Sequence, residues 1–169
     1  EYGGLGLGYL ELCVIAEELG RSLAPTPFSS SVYLVSEAII NFGDESLKQS
    51  CLPGLASGEK IGAFAHSETN TSPTEANINC SFSGGTLSGT KIAVADGDVA
   101  TTFIVTAKNG SGVSLYLVDS TADGIQIEPQ STLDPSRSHA SITFSNTPAT
   151  ELKSDWSDVL SLLDRAAVL

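Results

Sequence analysis

The stretch TTFIVTAKNGSGVSLYLV, residues 101–118, decides the class of the β-rich part of this chain. Two runs rich in Val, Ile, Leu and Thr flank Asn109-Gly110. An Asn-Gly pair between apolar runs is the strongest short-range hairpin signal, because both residues tolerate the positive φ that a tight turn needs. Working outward, similar short runs occur at Ile61–His66, Asn77–Phe82, Thr86–Val94, Ile125–Glu128 and Ser141–Ser145. They are punctuated by Gly84-Gly85, Asp96-Gly97 and Asp123-Gly124. Strands at this spacing predict an antiparallel barrel or sandwich.

On either side of this block the period changes to that of a helix. Leu12, Ile15, Ala16 and Leu19 fall at i, i+3, i+4 and i+7, with Gly20 as a stop and Pro25 and Pro27 forbidding continuation. Serines 29–31 offer caps for a second helix with a buried face of Val32, Val35, Ser36, Ile39 and Ile40. Asp44 caps a third, which carries Leu47 and Cys51, which Pro53 should interrupt, and which Ser57-Gly58-Glu59 ends. From Asp155, the positions Val159, Leu162, Leu163, Ala166 and Ala167 again mark one helical face. Helices, then strands, then a helix is an α+β order. The expected organisation is a helical segment over 1–60, a β domain over 61–150 and the first helix of another helical domain over 151–169.

Composition narrows the function. Of 169 residues, 41% are hydrophobic and 17% charged, which suits a packed core. The formal charge of −12 opposes binding to nucleic acid or an anionic membrane surface. No apolar run is long enough to span a bilayer. Cys13, Cys51 and Cys80 are scattered, and with two histidines they make no metal-ligand pattern, so reduced and mostly buried thiols in a cytoplasmic protein are expected. The chain has no methionine, opens on Glu1-Tyr2-Gly3-Gly4 without a leader pattern, and closes inside an apolar helical pattern. It is expected to be a piece of a longer protein.

Single residues invite sharper readings, most of which local chemistry explains. Gly4, Gly6 and Gly8 do not have dinucleotide-loop spacing and read as a turn before a helix. His66 and Ser67 are strand neighbours on opposite faces and do not form a base–nucleophile pair. Asp96, Asp98, Asp119 and Asp123 are too scattered for a calcium loop and suit turns. Lys91 reads as an exposed strand lysine, and Trp156 as the anchor of the last helix on the β domain.

Four stretches, in order, resemble the acyl-CoA dehydrogenase family. They are EYGGLGLG (1–8) followed by AEELG (16–20), LPGLASGE (52–59), GTK (89–91) with Asp96-Gly97, and TLDPSR (132–137) with Ile142-Thr143-Phe144. The resemblance implies the α,β-dehydrogenation of an acyl-CoA thioester with FAD as cofactor. It also implies an electron-transfer flavoprotein as electron acceptor, and homo- or hetero-oligomers assembled through the C-terminal helical domain. A glutamate base in that later domain takes the α-proton, so no catalytic residue is assigned in this chain, which by itself is expected to be inert.

The family's aromatic-x-x-Thr-Glu-Pro segment falls on Phe64-Ala65-His66-Ser67-Glu68-Thr69. On that resemblance Phe64, His66 and Ser67 contact the flavin, and Thr69 replaces the proline. The loop that follows lacks the family's glycine-rich character, and Ser72 is its candidate substrate contact. The family's Trp-Ile-Thr falls on Ala93-Val94-Ala95, so the ring-flanking tryptophan and the threonine hydroxyl are both missing, and Ala93 and Ala95 offer only backbone groups. Losing a stacked aromatic costs roughly 1 kcal/mol of ring binding beyond area. The departures keep open an alternative, a flavin-poor partner subunit of a heteromeric dehydrogenase.

Overall fold

The computed structural model describes residues 2–169; Glu1, the first residue of the opening motif, lies outside the described residues. Helix α1 (Tyr9–Ser22) begins where Glu11 accepts the backbone N–H of Gly8 at 2.8 Å. It passes through Gly20, the expected stop, and ends at Leu23 in a left-handed conformation. None of its residues is fully buried; Leu12, Ala16 and Leu19 are half-buried and Ile15 is exposed.

The second helical region differs from expectation in its winding. Ser29–Ser36 is a π-helical stretch that runs directly into α2 (Glu37–Phe42). The wider turn rotates the buried face onto Ser30, Ser31, Tyr33, Val35, Ala38 and Ile39, and leaves Ile40 exposed. Helix α3 (Glu45–Ser57) starts as expected, with Asp44 accepting the Leu47 N–H at 2.8 Å, and stops at Gly58, whose φ is 79°. Pro53 does not interrupt it. Proline costs a helix one hydrogen bond and a steric strain. Here burial of the neighbouring Cys51, Leu52 and Leu55 outweighs that cost, and Pro53 itself faces outward.

The strands are β1 (Gly62–Ala65), β2 (Ser81–Ser83), β3 (Thr86–Ala95), β4 (Thr102–Asn109), β5 (Gly112–Asp119), β6 (Ile125–Gln130), β7 (His139–Pro148) and β8 (Thr150–Glu151). They form one eight-stranded sheet in the order β6-β7-β3-β2-β4-β5-β8, with β1 also paired to β4. Most pairs are antiparallel; β1 and β2 run parallel to β4, one after the other along the same strand. The β4–β5 hairpin forms as predicted, with Asn109 opposite Gly112 and the Asn109 side chain holding the Ser111 N–H at 2.8 Å. Of the two arrangements expected, barrel or sandwich, the sheet is not closed as a barrel. The sheet ends at β6, where Pro129 has no N–H to offer a further strand, and at the two-residue β8.

Both faces of the central strands are covered. Ala63, Ala65, Leu87, Phe103, Val105 and Phe144 pack in one core cluster, while Ile104 and Leu115 pack against Val35, Leu52 and Leu162 on the helical side. This double burial explains why residues 102–107 form an almost unbroken buried run. Helix α4 (Trp156–Val168), capped by Asp155 at the Asp158 N–H, lies on the helical side with Val159 and Leu162 buried.

Gly62 sets the approach of the π-helical stretch to β1. A Cβ there would lie 2.6 Å from the Cβ of Val35. Gly62→Ala is therefore expected to destabilise the fold by about 1–3 kcal/mol through overpacking. Urea unfolding checks this, and an unchanged midpoint would contradict so close a contact.

Candidate functional site

Two segments singled out in the sequence come together at one end of β1 and β3. The Ile92 N–H donates to the carbonyl of Ser67 at 2.8 Å, placing Ser67 beside Ala93. At Ala93 a bulge interrupts the β3–β7 register between Lys91 and Val94, and its φ is +52°. That left-handed value is unfavourable for alanine and marks a locally strained backbone. The Ala93 N–H is taken by Gln130 Oε1 at 3.0 Å, so of the two alanines Ala93 keeps no free main-chain donor. Ala93 is exposed and Ala95, paired with His139, is half-buried.

Phe64 and His66 lie on the helical side. Their ring centroids are 5.6 Å apart, and His66 stacks on Trp156 at 5.9 Å with 25° between planes. Trp156 is thus the expected anchor of α4, and its seat is the imidazole itself. Ser72 lies apart from this group, exposed in the 69–78 loop, where Asn77 holds its carbonyl at 3.1 Å.

Sequence reasoning misplaced Lys91. It is fully buried, not an exposed strand residue. Its Nζ donates to Glu68 Oε1 at 2.7 Å, Thr106 Oγ1 at 3.0 Å and the His66 carbonyl at 3.1 Å, so all three ammonium protons are used. The Glu68 carboxylate also accepts the backbone N–H groups of Asn79 at 2.7 Å and Cys80 at 3.0 Å. The pair therefore fills the seam where β1 ends and β2 begins, and it pins both ends of the loop that carries Ser72. The signal was available in the strand alternation: Leu87, Gly89 and Lys91 share one face, which Leu87 marks as buried.

The electrostatics follow from burial. Desolvation alone would raise the Glu68 carboxyl, but the Lys91 hydrogen bond, the Cys80 and Asn79 N–H groups and the Lys91 charge together hold it below its usual value. Burial lowers the Lys91 ammonium against the pull of Glu68. His66 is pushed down to about 4, first by burial and then by the Lys91 charge, with Glu68 opposing. It is neutral at ordinary pH and, with that value, a poor general base.

A second polar group follows Ala95. Buried Asp96 pairs with Arg137 and accepts from Ser30, while Arg137 also donates to Ser29 and Ser30, each at 2.9 Å. This ties the end of β3 and the 131–138 loop to the π-helical stretch. A cavity of about 580 Å³ between α1 and that stretch reaches Ser29, Ser136 and Arg137, and another of about 660 Å³ lies under Leu7, Ile15, Phe28 and Ile40. Both lie among the helices and neither is lined by Phe64, His66 or Ser67.

Among the described residues no cluster of His, Cys, Asp or Glu could hold a metal ion, and no helix is long and apolar enough to cross a membrane. Cys51 and Cys80 are buried and free, and Cys13 is free and exposed.

An α+β chain of this order, helices on one side of an open and mostly antiparallel sheet, has recognisable counterparts. Residues 1–59 match the family described as "Acyl-CoA dehydrogenase, N-terminal domain". The mitochondrial isovaleryl-CoA dehydrogenase of Solanum tuberosum is 33% identical over 130 residues, which is 70% of this chain and 32% of that protein. Among solved structures, a glutaryl-CoA dehydrogenase of Mycobacterium smegmatis in complex with FADH2 superposes with a TM-score of 0.74 at 26% identity, covering 82% of this chain and 39% of that one. The ChsE4-ChsE5 complex of Mycobacterium tuberculosis superposes with a TM-score of 0.80 at 27% identity, covering 95% of this chain and 44% of that one. Over most of its length the chain is similar to acyl-CoA dehydrogenases, and residues 1–59 match that family's N-terminal domain. The chain spans about a third of the length of the curated relatives it matches.

Proposed function

We propose that this chain is the part of an FAD-dependent acyl-CoA dehydrogenase that forms one wall of the flavin and acyl-CoA site. In this reading residues 1–60 end the N-terminal helical domain, 61–150 form the β middle domain, and 151–169 open the C-terminal helical domain. Phe64, His66, Ser67, Ala93 and Ala95 face the flavin, and Ser72 faces the substrate. The observation that carries the reading is the 2.8 Å bond from Ile92 N–H to Ser67 carbonyl, which sets both candidate flavin segments side by side.

The residues present fit a flavin ring in a reduced way. Ser67 Oγ and His66 Nε2 have no hydrogen-bond partner among the described residues, so two side-chain donors remain for a ligand. Alanines at 93 and 95 leave the surface open where the family carries larger groups. When bound, the flavin supplies a two-electron acceptor for the β-hydride of an acyl thioester. The residues of this chain contribute binding and orientation, and none of them is assigned as the base. An electron-transfer flavoprotein as acceptor, an oligomeric assembly and a cytoplasmic setting belong to the same proposal.

The test is the visible spectrum of the full-length protein. Absorption of oxidised flavin that bleaches on addition of butyryl-CoA or another acyl-CoA supports the reading. A second reading, a flavin-poor partner subunit, is favoured by the engaged Ala93 N–H and the missing aromatic. It predicts a colourless protein that supports dehydrogenation only together with a second, flavin-bearing chain.

A further inference from the structure

The hydrogen-bond chain behind His66 fixes more than the backbone. Lys91 can only donate, and one of its three protons goes to Thr106 Oγ1 at 3.0 Å. Thr106 is fully buried, and its hydroxyl has one proton to place. The remaining partner of Thr106 Oγ1 among the described residues is His66 Nδ1, at 3.1 Å. If Nδ1 carried a proton, the Thr106 hydroxyl proton would be buried with no acceptor, beside a like-charged ammonium. A buried donor left unsatisfied is strongly disfavoured. Nδ1 is therefore the acceptor, and the ring proton sits on Nε2.

We propose that Lys91 and Thr106 are positioning residues that hold His66 in a single neutral tautomer, with its Nε2–H offered to a carbonyl-type acceptor of the bound ligand. The ring cannot swing freely to find another partner, because one face stacks on Trp156 and Phe64 lies 5.6 Å away. Nε2 makes no bond of its own within the described residues, and the ring is only partly buried, so the donor remains available. A fixed tautomer and a fixed ring plane together make a preorganised hydrogen-bond donor, with no reorientation needed on binding. A carbonyl of the isoalloxazine ring and the thioester carbonyl share this chemistry. The proposal rests on the reading of this segment as a ligand wall, but the tautomer itself does not.

The experiment is nitrogen NMR of the full-length protein labelled at histidine, with a His66→Gln spectrum to assign the signals. At neutral pH the expected result is an unprotonated Nδ1 and a protonated Nε2. Thr106→Val should convert this to a mixture of tautomers, whereas Thr106→Ser should restore the single form. A protonated Nδ1 in the wild type, or no change in Thr106→Val, overturns the proposal. Adding FAD to flavin-stripped protein, and separately adding butyryl-CoA, identifies the acceptor by which ligand moves the Nε2 signal. The responding ligand should bind about three- to tenfold more weakly to Thr106→Val. If neither ligand moves the signal, the donor role is overturned even when the tautomer is as stated. A colourless protein that nevertheless shows the fixed tautomer would count against the flavin reading alone.

Discussion

Replacing Lys91 with methionine is expected to destabilise the fold by about 3–5 kcal/mol, the usual effect of removing one partner from a buried ion pair. The side chains of Lys91 and Glu68 are 0% and 8% exposed, and their charged atoms are 2.7 Å apart. Without the ammonium, Glu68 remains in the seam between β1 and β2 with two backbone donors and no countercharge. Thr106 and the His66 carbonyl lose a donor as well. Urea unfolding of Lys91→Met, Glu68→Gln and the double variant measures the coupling directly. The double variant should lose much less stability than the sum of the two single losses, because each change removes the reason the other partner is costly. Strict additivity would show that the two groups do not act as a pair.

Acid should weaken the fold through His66 before it does so through the carboxylates. The folded value of about 4 lies below the unfolded value of 6.5, so over that interval the unfolded chain binds a proton that the folded chain refuses. Stability contributed by the neutral imidazole is complete above the unfolded value and is lost as pH falls through the folded one. Two and a half pH units correspond to about 3 kcal/mol, and partial exposure trims this toward about 2. Glu68 acts in a lower window. Its folded value is depressed, so its contribution is present above the unfolded carboxyl value and disappears only below it. The groups that face the imidazole are Thr106, Lys91 and Glu68, with Phe64 and Trp156 against the ring. His66→Phe keeps an aromatic ring against Trp156 and should flatten the stability profile between those two pH values. An equal slope in wild type and variant would mean that the imidazole titrates normally in the folded protein.

The first expectation concerns a pair behind the candidate site and the second a ring within it, and this bears on how the segment works. Phe64, His66 and Ser67 sit at the end of a four-residue strand, where a backbone would ordinarily be loose. Here the Lys91 ammonium holds the His66 carbonyl, and the Glu68 carboxylate joins the start of the 69–78 loop to its end. The candidate site thus stands on a buried polar seam, and the loop bearing Ser72 starts and finishes at the same two charges.

What the sequence determined alone was whatever depends on neighbours in the chain. Asn109-Gly110 specified the β4–β5 hairpin, Asp44 and Asp155 specified two helix starts, and the change of period near residue 60 separated helices from strands. The order of motifs pointed to the family, and that resemblance alone singled out the two candidate flavin segments. Tertiary structure decided what depends on partners far away in the chain. Pro53 stays inside α3 because its neighbours are buried, and the π-helical winding of Ser29–Ser36 rotates a face that ideal periodicity misassigned. The sheet stays open because Pro129 and a two-residue β8 stand at its edges. Lys91 is buried because Glu68, 23 residues earlier, and Thr106, 15 residues later, converge on one ammonium. A lysine in an isolated strand has no reason to leave water; three acceptors brought together by the fold supply one.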